Sequence, residues 1–415
     1  MDIKMLRGEF PMFRHNQKNF VYLDNASTTH KPAAVIDSIR KFYEQEYATV
    51  HRALYDLAEL ATERYEQTRD DVAKFINAAH REEIIFTRGT TEGINFIAQA
   101  WALKNIKQGD EIIVTTAEHH ANMLPWQRVA QITGAKIVFI PLDPDKHVIV
   151  NPESYLTDKT KLVAVTTASN VLGPIWDEDT NQLKHFIAAS KKKGARVLLD
   201  AAQMVAHKKL DVQDLDADFV AFSAHKMFGP TGIGVLYIKK ELHDYVEPYQ
   251  VGGSMIHSVT LDGATWAPSP QKFEAGTPPI TEVIGLGATI DFMNKNIDFK
   301  AVQAYEAELC EKLVDGINAI PDMLIVGNHD VIKKHGTIVS FAVRGLHAHD
   351  VASALGQQGF ALRAGHHCAQ PLVSCFNVES LLRASVAVYN TDQEIETFLS
   401  SLKKTVSTLK QWLNP

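Results

Sequence analysis

Two stretches decide the fold: VLLDAAQ at residues 197–203 and AFSAHKMFGP at residues 221–230. The first closes an apolar run with Asp200, and the second places Lys226 just beyond another apolar run. Short apolar runs of this kind are typical of strands that are buried on both faces of a parallel sheet. The carboxyl ends of such strands meet at one crevice. We therefore predict that Asp200 and Lys226 lie together at that crevice.

This pair of residues has the chemistry that pyridoxal phosphate needs from a protein. A lysine amine holds the cofactor aldehyde as a Schiff base, and a carboxylate keeps the ring nitrogen protonated, which makes the ring an electron sink. A salt bridge between a surface lysine and a loop aspartate would also explain the pair alone. Ser223, His225 and the segment GPTG at residues 229–232 favour the cofactor, because they supply phosphate and ring contacts beside Lys226.

The segments around these two stretches alternate between strand and helix. Helices are predicted to begin near residues 91, 121, 180 and 202, and strands are predicted at residues 84–86, 111–115, 136–140, 162–167, 197–199, 219–222 and 234–238. This alternation predicts an α/β fold whose mostly parallel sheet is covered on both faces. Residues 245–280 are predicted to be irregular. After residue 296 the pattern is that of a smaller α+β domain, with a strand at residues 338–343 and a last helix from Thr391.

Length and composition limit the class of protein. A chain of 415 residues is too long for one ordinary core, so a large and a smaller domain are expected. The net charge of -7 argues against nucleic acid as the main partner. No apolar run approaches the ~20 residues of a membrane span, and the first ten residues lack the apolar centre of a secretory signal.

Cysteine usage indicates the compartment. The three cysteines are odd in number and lack zinc-binding spacing, which predicts a reduced, cytoplasmic protein in which a special cysteine acts as a nucleophile. Cys310 lies in an apolar helical segment and is expected to be structural. Cys375 has apolar neighbours and receives no role.

Two further motifs follow predicted strands. In FTRGTTEGIN, at residues 86–95, Thr90 or Thr91 can cap a helix and also donate to an anion, although a plain helix cap is the simpler interpretation. In EHHAN, at residues 118–122, the paired histidines suggest a metal at first sight. Adjacent residues project differently and no third ligand follows at a suitable spacing, so no metal site is predicted. His119 can instead stack on a cofactor ring and relay protons.

Three more polar residues complete the predicted site. Asn170 lies just past another strand, although an asparagine there is also ordinary turn chemistry. Cys368 lies in LRAGHHCAQP, at residues 362–371, beside an arginine and two histidines, a setting that raises the thiolate fraction. Arg383 follows fifteen residues later and can clamp a substrate carboxylate bidentately.

Taken in order, the motifs resemble the cysteine desulfurases of aminotransferase class V over nearly the whole chain. The matching segments are YLDNA at 22–26, TRGTTE at 87–92, EHHAN at 118–122, SAHK at 223–226, FEAGTP at 273–278 and RAGHHCAQP at 363–371. The likeness is greatest to the group that includes the sulfur-mobilising desulfurase, the cysteine sulfinate desulfinase and selenocysteine lyase. It implies fold type I of the pyridoxal-phosphate-dependent transferases and conversion of L-cysteine to L-alanine.

The resemblance also implies a division of the chain. Residues 1–20 would form an N-terminal arm that packs with the small domain. Residues 21–290 would form the large domain that binds pyridoxal phosphate. Residues 291–415 would form the small C-terminal domain, which carries the catalytic cysteine loop.

Each matching residue acquires an implied role. Lys226 would carry the cofactor, Asp200 would pair with its ring nitrogen, Gln203 would contact its ring hydroxyl, and His119 would stack on the ring and take part in catalysis. The phosphate would be held by Thr90, Thr91, Ser223 and His225, together with Thr277 reaching across to the other subunit of a homodimer.

The substrate side of the site is implied in the same way. Asn170, Arg383, Arg363 and His51 would bind the substrate. Cys368 would be the nucleophile that accepts sulfur as a persulfide. A small acceptor protein would then receive the sulfur for iron-sulfur cluster assembly or other sulfur metabolism.

One segment departs from the sulfur-mobilising branch. Many of its members have a second histidine in a Gly-x-His pattern after the His-Arg pair, whereas this chain reads HRALYD at residues 51–56. The segment looks closer to the sulfinate desulfinase branch, so selenocysteine and cysteine sulfinate are candidate substrates beside cysteine. A plain aminotransferase, which would not need Cys368, and a cofactor-binding scaffold without turnover are the alternatives.

Overall fold

The computed structural model describes residues 3–15 and 20–413. Its strands are β1 Val21–Tyr22, β2 Ile84–Thr87, β3 Glu111–Thr115, β4 Lys136–Ile140, β5 Thr160–Thr166, β6 Arg196–Asp200, β7 Phe219–Ser223, β8 Gly234–Ile238, β9 Ile256–Thr260, β10 Gly263–Trp266, β11 Met323–Val326, β12 Ile338–Val343, β13 Phe360–Ala361, β14 Arg363–Gly365 and β15 Leu381–Ser385.

Helices surround these strands along the described chain. They are α1 Ile3–Gly8, α2 Pro11–His15, α3 Ala33–Lys41, α4 Asp56–Phe75, α5 Thr90–Ile97, α6 Leu103–Asn105, α7 Leu124–Thr133, α8 Gln182–Lys192, α9 Val212–Leu215, α10 Ile280–Asn296, α11 Phe299–Asn318, α12 His329–His335, α13 Ala348–Gly356, α14 Gln370–Ser374 and α15 Asp392–Leu413. None of these helices is long and apolar enough to cross a membrane.

The large sheet positions the cavity that holds Lys226. Within the described residues it has seven strands in the order β2-β8-β7-β6-β5-β3-β4. Strand β8 is antiparallel to both its neighbours, and the other pairs are parallel, as the sequence predicts. Every residue of β7 and β8 is buried, because helices cover both faces of this sheet. The parallel strands β3, β5, β6 and β7 therefore end along one common edge.

The predicted strands of this sheet are confirmed to within about two residues at each end. The helix predicted near residue 202 is wrong. The chain after Asp200 forms separate turns instead, among them those closed by the Val205 N–H on the Ala201 carbonyl at 3.2 Å and by the Lys208 N–H on the Met204 carbonyl at 2.9 Å. Asp200 Oδ1 accepts a hydrogen bond from the Ala202 N–H at 2.9 Å, and Gln203 Nε2 donates to the Ala26 carbonyl at 2.9 Å, so both side chains are held beside the cavity.

The prediction of an irregular segment at residues 245–280 is also wrong in part. Strands β9 and β10 form an antiparallel hairpin there, closed by Thr260 and Gly263. The residues of this hairpin are almost all exposed in the described chain, so the sequence lacks the alternation of buried and exposed residues that reveals a strand.

A second sheet lies in the C-terminal part. Its described strands run in the order β11-β12-β15-β14, and all three pairs are antiparallel. Helices α11 and α13 pack against it, α15 packs against these two helices, and together they enclose a separate apolar core that includes Leu313, Phe341 and Phe398. The predicted strand at residues 338–343 is confirmed as β12, and the predicted last helix is confirmed as α15.

The N-terminal segment joins the two cores. Strand β1 pairs with β13 in parallel, and Leu23 packs in the C-terminal core. Phe10 lies between the rings of Phe228, Phe292 and Tyr389. The predicted helical arm is seen as α1 and α2, whereas residues 1, 2 and 16–19 lie outside the described residues. The division at residues 20/21 and 290/291 stays a prediction.

Candidate active site

A cavity of about 230 Å³ opens at the carboxyl ends of the parallel strands. It brings together most of the residues that the sequence singles out. The predicted residues that line it are Thr90, Thr91, His119, Asn170, Asp200, Gln203, Ser223, His225, Lys226, Arg363, Cys368 and Arg383.

Two predicted site residues lie elsewhere in this chain. His51 lines a separate cavity beside Thr62, where its Nε2 lies 2.9 Å from Glu66 Oε1. Thr277 lines a third cavity beside Phe86. The sequence assigns Thr277 to the phosphate of another subunit, and that assignment stays a prediction, as does substrate binding by His51.

Lys226 closes a short 3₁₀ turn directly after the buried strand β7. Burial lowers the pKa of its ammonium group to about 8, and the negative charge of Asp200 opposes this shift. Near neutral pH the amine is therefore neutral in a far larger fraction of molecules than an exposed lysine amine would be, and the neutral form is the nucleophile and the base.

Asp200 stands at the end of β6, where only 4% of the residue is exposed. Burial raises the pKa of its carboxyl group, while the Ala202 N–H and Lys226 oppose that rise. Among the described residues no cationic side chain forms a salt bridge with Asp200. A buried carboxylate that faces a cavity without such a partner suits a protonated ring nitrogen, so Asp200 fits the predicted cofactor.

The phosphate donors predicted from the sequence lie where β7 meets helix α5. Ser223 Oγ accepts from the Thr90 N–H at 2.8 Å and lies 2.7 Å from Thr90 Oγ1. The start of α5 lies close to β7 and β8 because residues 89 and 234 are glycines. A Cβ on Gly234 would lie 2.5 Å from Gly89 Cα, and a Cβ on Gly89 would lie 3.1 Å from Ser223 Oγ. Hydroxyl groups beside a helix N-terminus are suited to a phosphate group.

The two cavity histidines near Lys226 are both neutral. Burial lowers the pKa of His225 to about 4, with the positive charge of Lys226 as the second cause. The same two effects lower the pKa of His119 to about 4. His119 Nδ1 accepts from the Ala121 N–H at 3.0 Å, so its proton resides on Nε2. These rings can donate hydrogen bonds or stack without adding positive charge.

Glu118 supports this region, although the sequence indicates no role for it beyond the motif. Its buried carboxyl group accepts hydrogen bonds from Thr115 Oγ1 at 2.7 Å, Asn122 Nδ2 at 2.7 Å and the Thr166 N–H at 3.0 Å. Burial raises its pKa to about 8, against the effect of these three donors. Glu118 thus ties the ends of β3 and β5 to the loop that carries His119.

Arg383 enters the cavity from β15, and 2% of the residue is exposed. Its Nη1 donates to the Asn170 carbonyl at 2.7 Å, and Asn170 Nδ2 donates to the His367 carbonyl at 2.5 Å. Within the described chain, Asn170 Oδ1, His367 Nδ1 and Arg383 Nε are buried without a hydrogen-bond partner. Unsatisfied donors and acceptors beside a cavity indicate a site for a polar ligand.

Cys368 is exposed and lies in a strained loop. His367 has a φ of 52° and Cys368 a φ of 55°, two consecutive non-glycine residues in the left-handed region. His120 holds this loop at two points: its N–H donates to the Cys368 carbonyl at 2.7 Å, and its Nε2 accepts from the Gln370 N–H at 3.1 Å. The thiol is thereby presented at the cavity and to solvent.

Cys310 contrasts with Cys368. It is fully buried in α11, and burial raises the pKa of its thiol, so the prediction of a structural cysteine is confirmed. Cys375 is exposed at the end of α14 and does not line the cavity around Lys226. No group of three or more histidine, cysteine or acidic side chains in the described chain could hold a metal ion.

The amino-acid sequence is similar to those of known proteins over nearly the whole chain. The model of the aminotransferase class-V family matches residues 21–398. A cysteine desulfurase of Synechococcus elongatus is 42% identical over 97% of this chain, which spans 63% of that relative's length. A cysteine desulfurase of Shigella flexneri is 41% identical over 97% of this chain and 98% of its own.

A solved structure gives the same result. The crystal structure of the cysteine desulfurase CsdA (S-sulfonic acid) from Escherichia coli is 38% identical, with a TM-score of 0.89 over 98% of this chain and 99% of its own. The sequence match and the shared fold both cover nearly the full chain. The chain belongs to the aminotransferase class-V family.

Proposed function

We propose that the protein is a pyridoxal-phosphate-dependent cysteine desulfurase, which converts L-cysteine to L-alanine and leaves the sulfur as a persulfide on Cys368. The observation that carries this proposal is the meeting of Lys226, Asp200 and Cys368 in one cavity. A Schiff-base lysine and a ring-pairing carboxylate suit many reactions of the cofactor. An exposed cysteine at the same cavity suits sulfur acceptance in particular.

Residues on the inner wall of the cavity would hold the cofactor. Asp200 would pair with the ring nitrogen, Gln203 would contact the ring hydroxyl, and His119 would stack on the ring. The phosphate would be bound by Thr90, Thr91, Ser223 and His225. When bound, the cofactor supplies an electron sink for the bonds at the substrate Cα.

The chain's own residues account for the remaining steps. Arg383, Arg363 and Asn170 bind the substrate carboxylate and orient the side chain toward Cys368. Lys226 in its neutral form takes the proton from the substrate Cα. The Cys368 thiolate forms a bond to the substrate sulfur while the Cβ–S bond breaks, and the electron pair of that bond stays on Cβ. Alanine is complete once Cβ has gained a proton and Lys226 has returned to Cα the proton that it removed, with Lys226 as the proton donor nearest the substrate.

Several finer features extend this proposal. Thr277 would reach the phosphate of a second subunit, which implies a homodimer. A persulfide on an exposed loop would pass to a small acceptor protein for iron-sulfur cluster assembly or other sulfur metabolism. Selenocysteine and cysteine sulfinate are further candidate substrates, the sulfinate desulfinase branch is the predicted subgroup, and a cytoplasmic location stays a prediction from cysteine usage.

The decisive experiment measures alanine and sulfide released from L-cysteine by the holoenzyme and by Cys368→Ser. A desulfurase releases alanine and loses that activity with the serine. A plain aminotransferase would release neither product from cysteine, but it would transfer the amino group to an added α-keto acid equally well in the wild type and in Cys368→Ser. A scaffold would catalyse neither reaction in either form. The result that overturns the proposal is an unchanged rate of alanine formation in Cys368→Ser.

A further inference from the structure

The two arginines of the cavity meet at a single hydroxyl group, that of Ser27. Arg383 Nη2 donates to Ser27 Oγ at 2.7 Å, and Arg363 Nη1 donates to the same oxygen at 2.8 Å. Ser27 Oγ donates in turn to Asp24 Oδ1 at 2.6 Å. A hydroxyl group has one proton and two lone pairs, so these three bonds fill its hydrogen-bonding capacity.

The fold brings these residues together from distant parts of the chain. Arg363 of β14 pairs directly opposite Arg383 of β15, which places their side chains next to each other. Asp24 and Ser27 belong to the turn after β1, where the Ser27 N–H donates to the Asp24 carbonyl at 3.1 Å. The backbone of Asp24 also forms an isolated parallel β-bridge with Ser385, at the end of β15. The turn is thus attached to the strand that carries Arg383.

The two arginines differ in how firmly they are held. Arg383 is buried, and besides Ser27 it is bound by the Asn170 carbonyl at 2.7 Å and by Asp24 Oδ1 at 3.2 Å. Arg363 is exposed, and its guanidinium group is bound to Ser27 Oγ. Ser27 therefore matters most for Arg363, whose long side chain would otherwise sample many rotamers.

The charges explain why a neutral hydroxyl is useful at this point. Two guanidinium groups that approach one oxygen repel each other, and the nearby carboxylate of Asp24 compensates part of that repulsion. A carboxylate at the position of Ser27 would compete with the substrate, whereas a hydroxyl group holds the donors and leaves their positive charge available. The paired guanidinium groups are then prearranged for a ligand carboxylate.

We propose that Ser27, supported by Asp24, is a positioning residue that holds Arg363 beside Arg383 as one carboxylate-binding pair and so sets the affinity for the substrate carboxylate. This inference rests on the proposed function. Ser27 acts through the two arginines and takes no part in the transfer of sulfur. Loss of its hydroxyl group requires Arg363 to be ordered anew each time a substrate binds.

The test compares two amines on the protein loaded with pyridoxal phosphate. L-Alanine carries the carboxylate, and ethylamine lacks it; the affinity of each is measured from the change in cofactor absorbance. Ser27→Ala is expected to lower the affinity for L-alanine roughly three- to tenfold, because one long side chain must then be ordered on binding. The affinity for ethylamine should stay within about twofold of the wild-type value. With L-cysteine, KM should rise by more than kcat falls.

Matched variants complete the experiment. Ser27→Thr keeps the hydroxyl group and should retain most of the wild-type affinity for L-alanine. Ser154→Ala removes an exposed serine hydroxyl outside this cavity and should change neither affinity. The unfolding midpoint of each variant shows whether the fold is intact.

Three results would overturn the inference: an unchanged affinity of Ser27→Ala for L-alanine, a tighter one, or an equal loss for both amines. A tighter affinity would mean that Ser27 competes with the substrate, and an equal loss would mean that the substitution disturbs the whole cavity. Binding of L-alanine requires no sulfur transfer. If the protein does not release sulfur from cysteine, the proposed function is wrong, and the affinities for L-alanine still test the role of Ser27.

Discussion

The two sides of the cavity are built in opposite ways. On one side, Asp200, Ser223 and Lys226 stand at the ends of buried strands, where burial shifts their proton affinities or fixes their hydrogen bonds. On the other side, the cysteine loop, residues 362–371, presents Cys368 to solvent through two left-handed residues. We call the first side the strand-end wall.

The difference follows from what each side has to do. Groups that tune a cofactor must hold their electrostatic environment constant, and a low-dielectric sheet edge achieves this. A cysteine that accepts sulfur must transfer it to another molecule, so its side chain has to be exposed to solvent. The left-handed backbone at His367 and Cys368 costs on the order of 1–3 kcal/mol for each residue. This strain accompanies the loop conformation that exposes the thiol.

Removal of Lys226 is the most severe way to break the strand-end wall. Lys226→Ala is expected to lower the release of alanine from cysteine by roughly 10³-fold or more, because the amine that holds the cofactor and moves the Cα proton is gone. The visible absorbance of the loaded protein should also change. Lys209→Ala, an exposed lysine, serves as the control. A Lys226→Ala protein with a near-normal rate would contradict the assignment.

The cysteine loop should fail in a more selective manner. Cys368→Ala is expected to abolish turnover of cysteine and to keep part of the turnover of selenocysteine and cysteine sulfinate, whose leaving groups depart more readily. Parallel kinetics on the three substrates measure this, and Cys375→Ala is the matched control. Equal losses on all three substrates would show that Cys368 has a different role.

The pH dependence of cofactor binding tests whether the strand-end wall lowers the pKa of Lys226. Capture of an aldehyde requires the neutral amine, and burial lowers the pKa of Lys226 to about 8 from its usual 10.5. The rate at which the cofactor-free protein binds pyridoxal phosphate should therefore rise with pH around a midpoint near 8. Asp200 favours the charged ammonium, so Asp200→Asn should lower the midpoint. A midpoint near 10 in the wild type would refute the burial effect.

The smallest expected effect concerns the support behind His119. In the wild type the Asn122 side-chain amide donates to the Glu118 carboxyl group at 2.7 Å, and Glu118→Gln places the NH2 group of a second amide against this donor. The free energy of unfolding should fall by about 1–3 kcal/mol, the cost of an unsatisfied buried polar group. Chemical denaturation measures this, with exposed Glu153→Gln as the control. An unchanged stability would mean that Glu118 does not hold the loop.

Much of the strand-end wall could be predicted from local patterns. A buried parallel strand has a continuous apolar run, and the polar residue that ends it must lie at the common edge of the sheet. This rule places Asp200 at that edge and Lys226 just beyond it. The helix predicted near residue 202 is wrong, because the chain there forms separate turns, and the bond of Gln203 to the distant Ala26 carbonyl likewise has no signature in a local window.

The support of the site was less visible. Ser27 and Asp24 stand in an ordinary polar turn, and their meeting with Arg363 and Arg383 depends on the pairing of β14 with β15 and the bridge to Ser385. His51 and Thr277 show the reverse case. Their motifs imply a role at the site, yet within one chain they line other cavities.

By itself, the sequence determined the class of fold, the residues at the strand ends and the motif that carries Cys368. Those features depend on hydrophobic periodicity and on short segments whose chemistry is local. Only the tertiary structure decided which side chains share the cavity, why Glu118 is held among three donors, and how Ser27 gathers two arginines. Contacts between residues more than three hundred positions apart arise from sheet register and packing, which no local pattern of residues encodes.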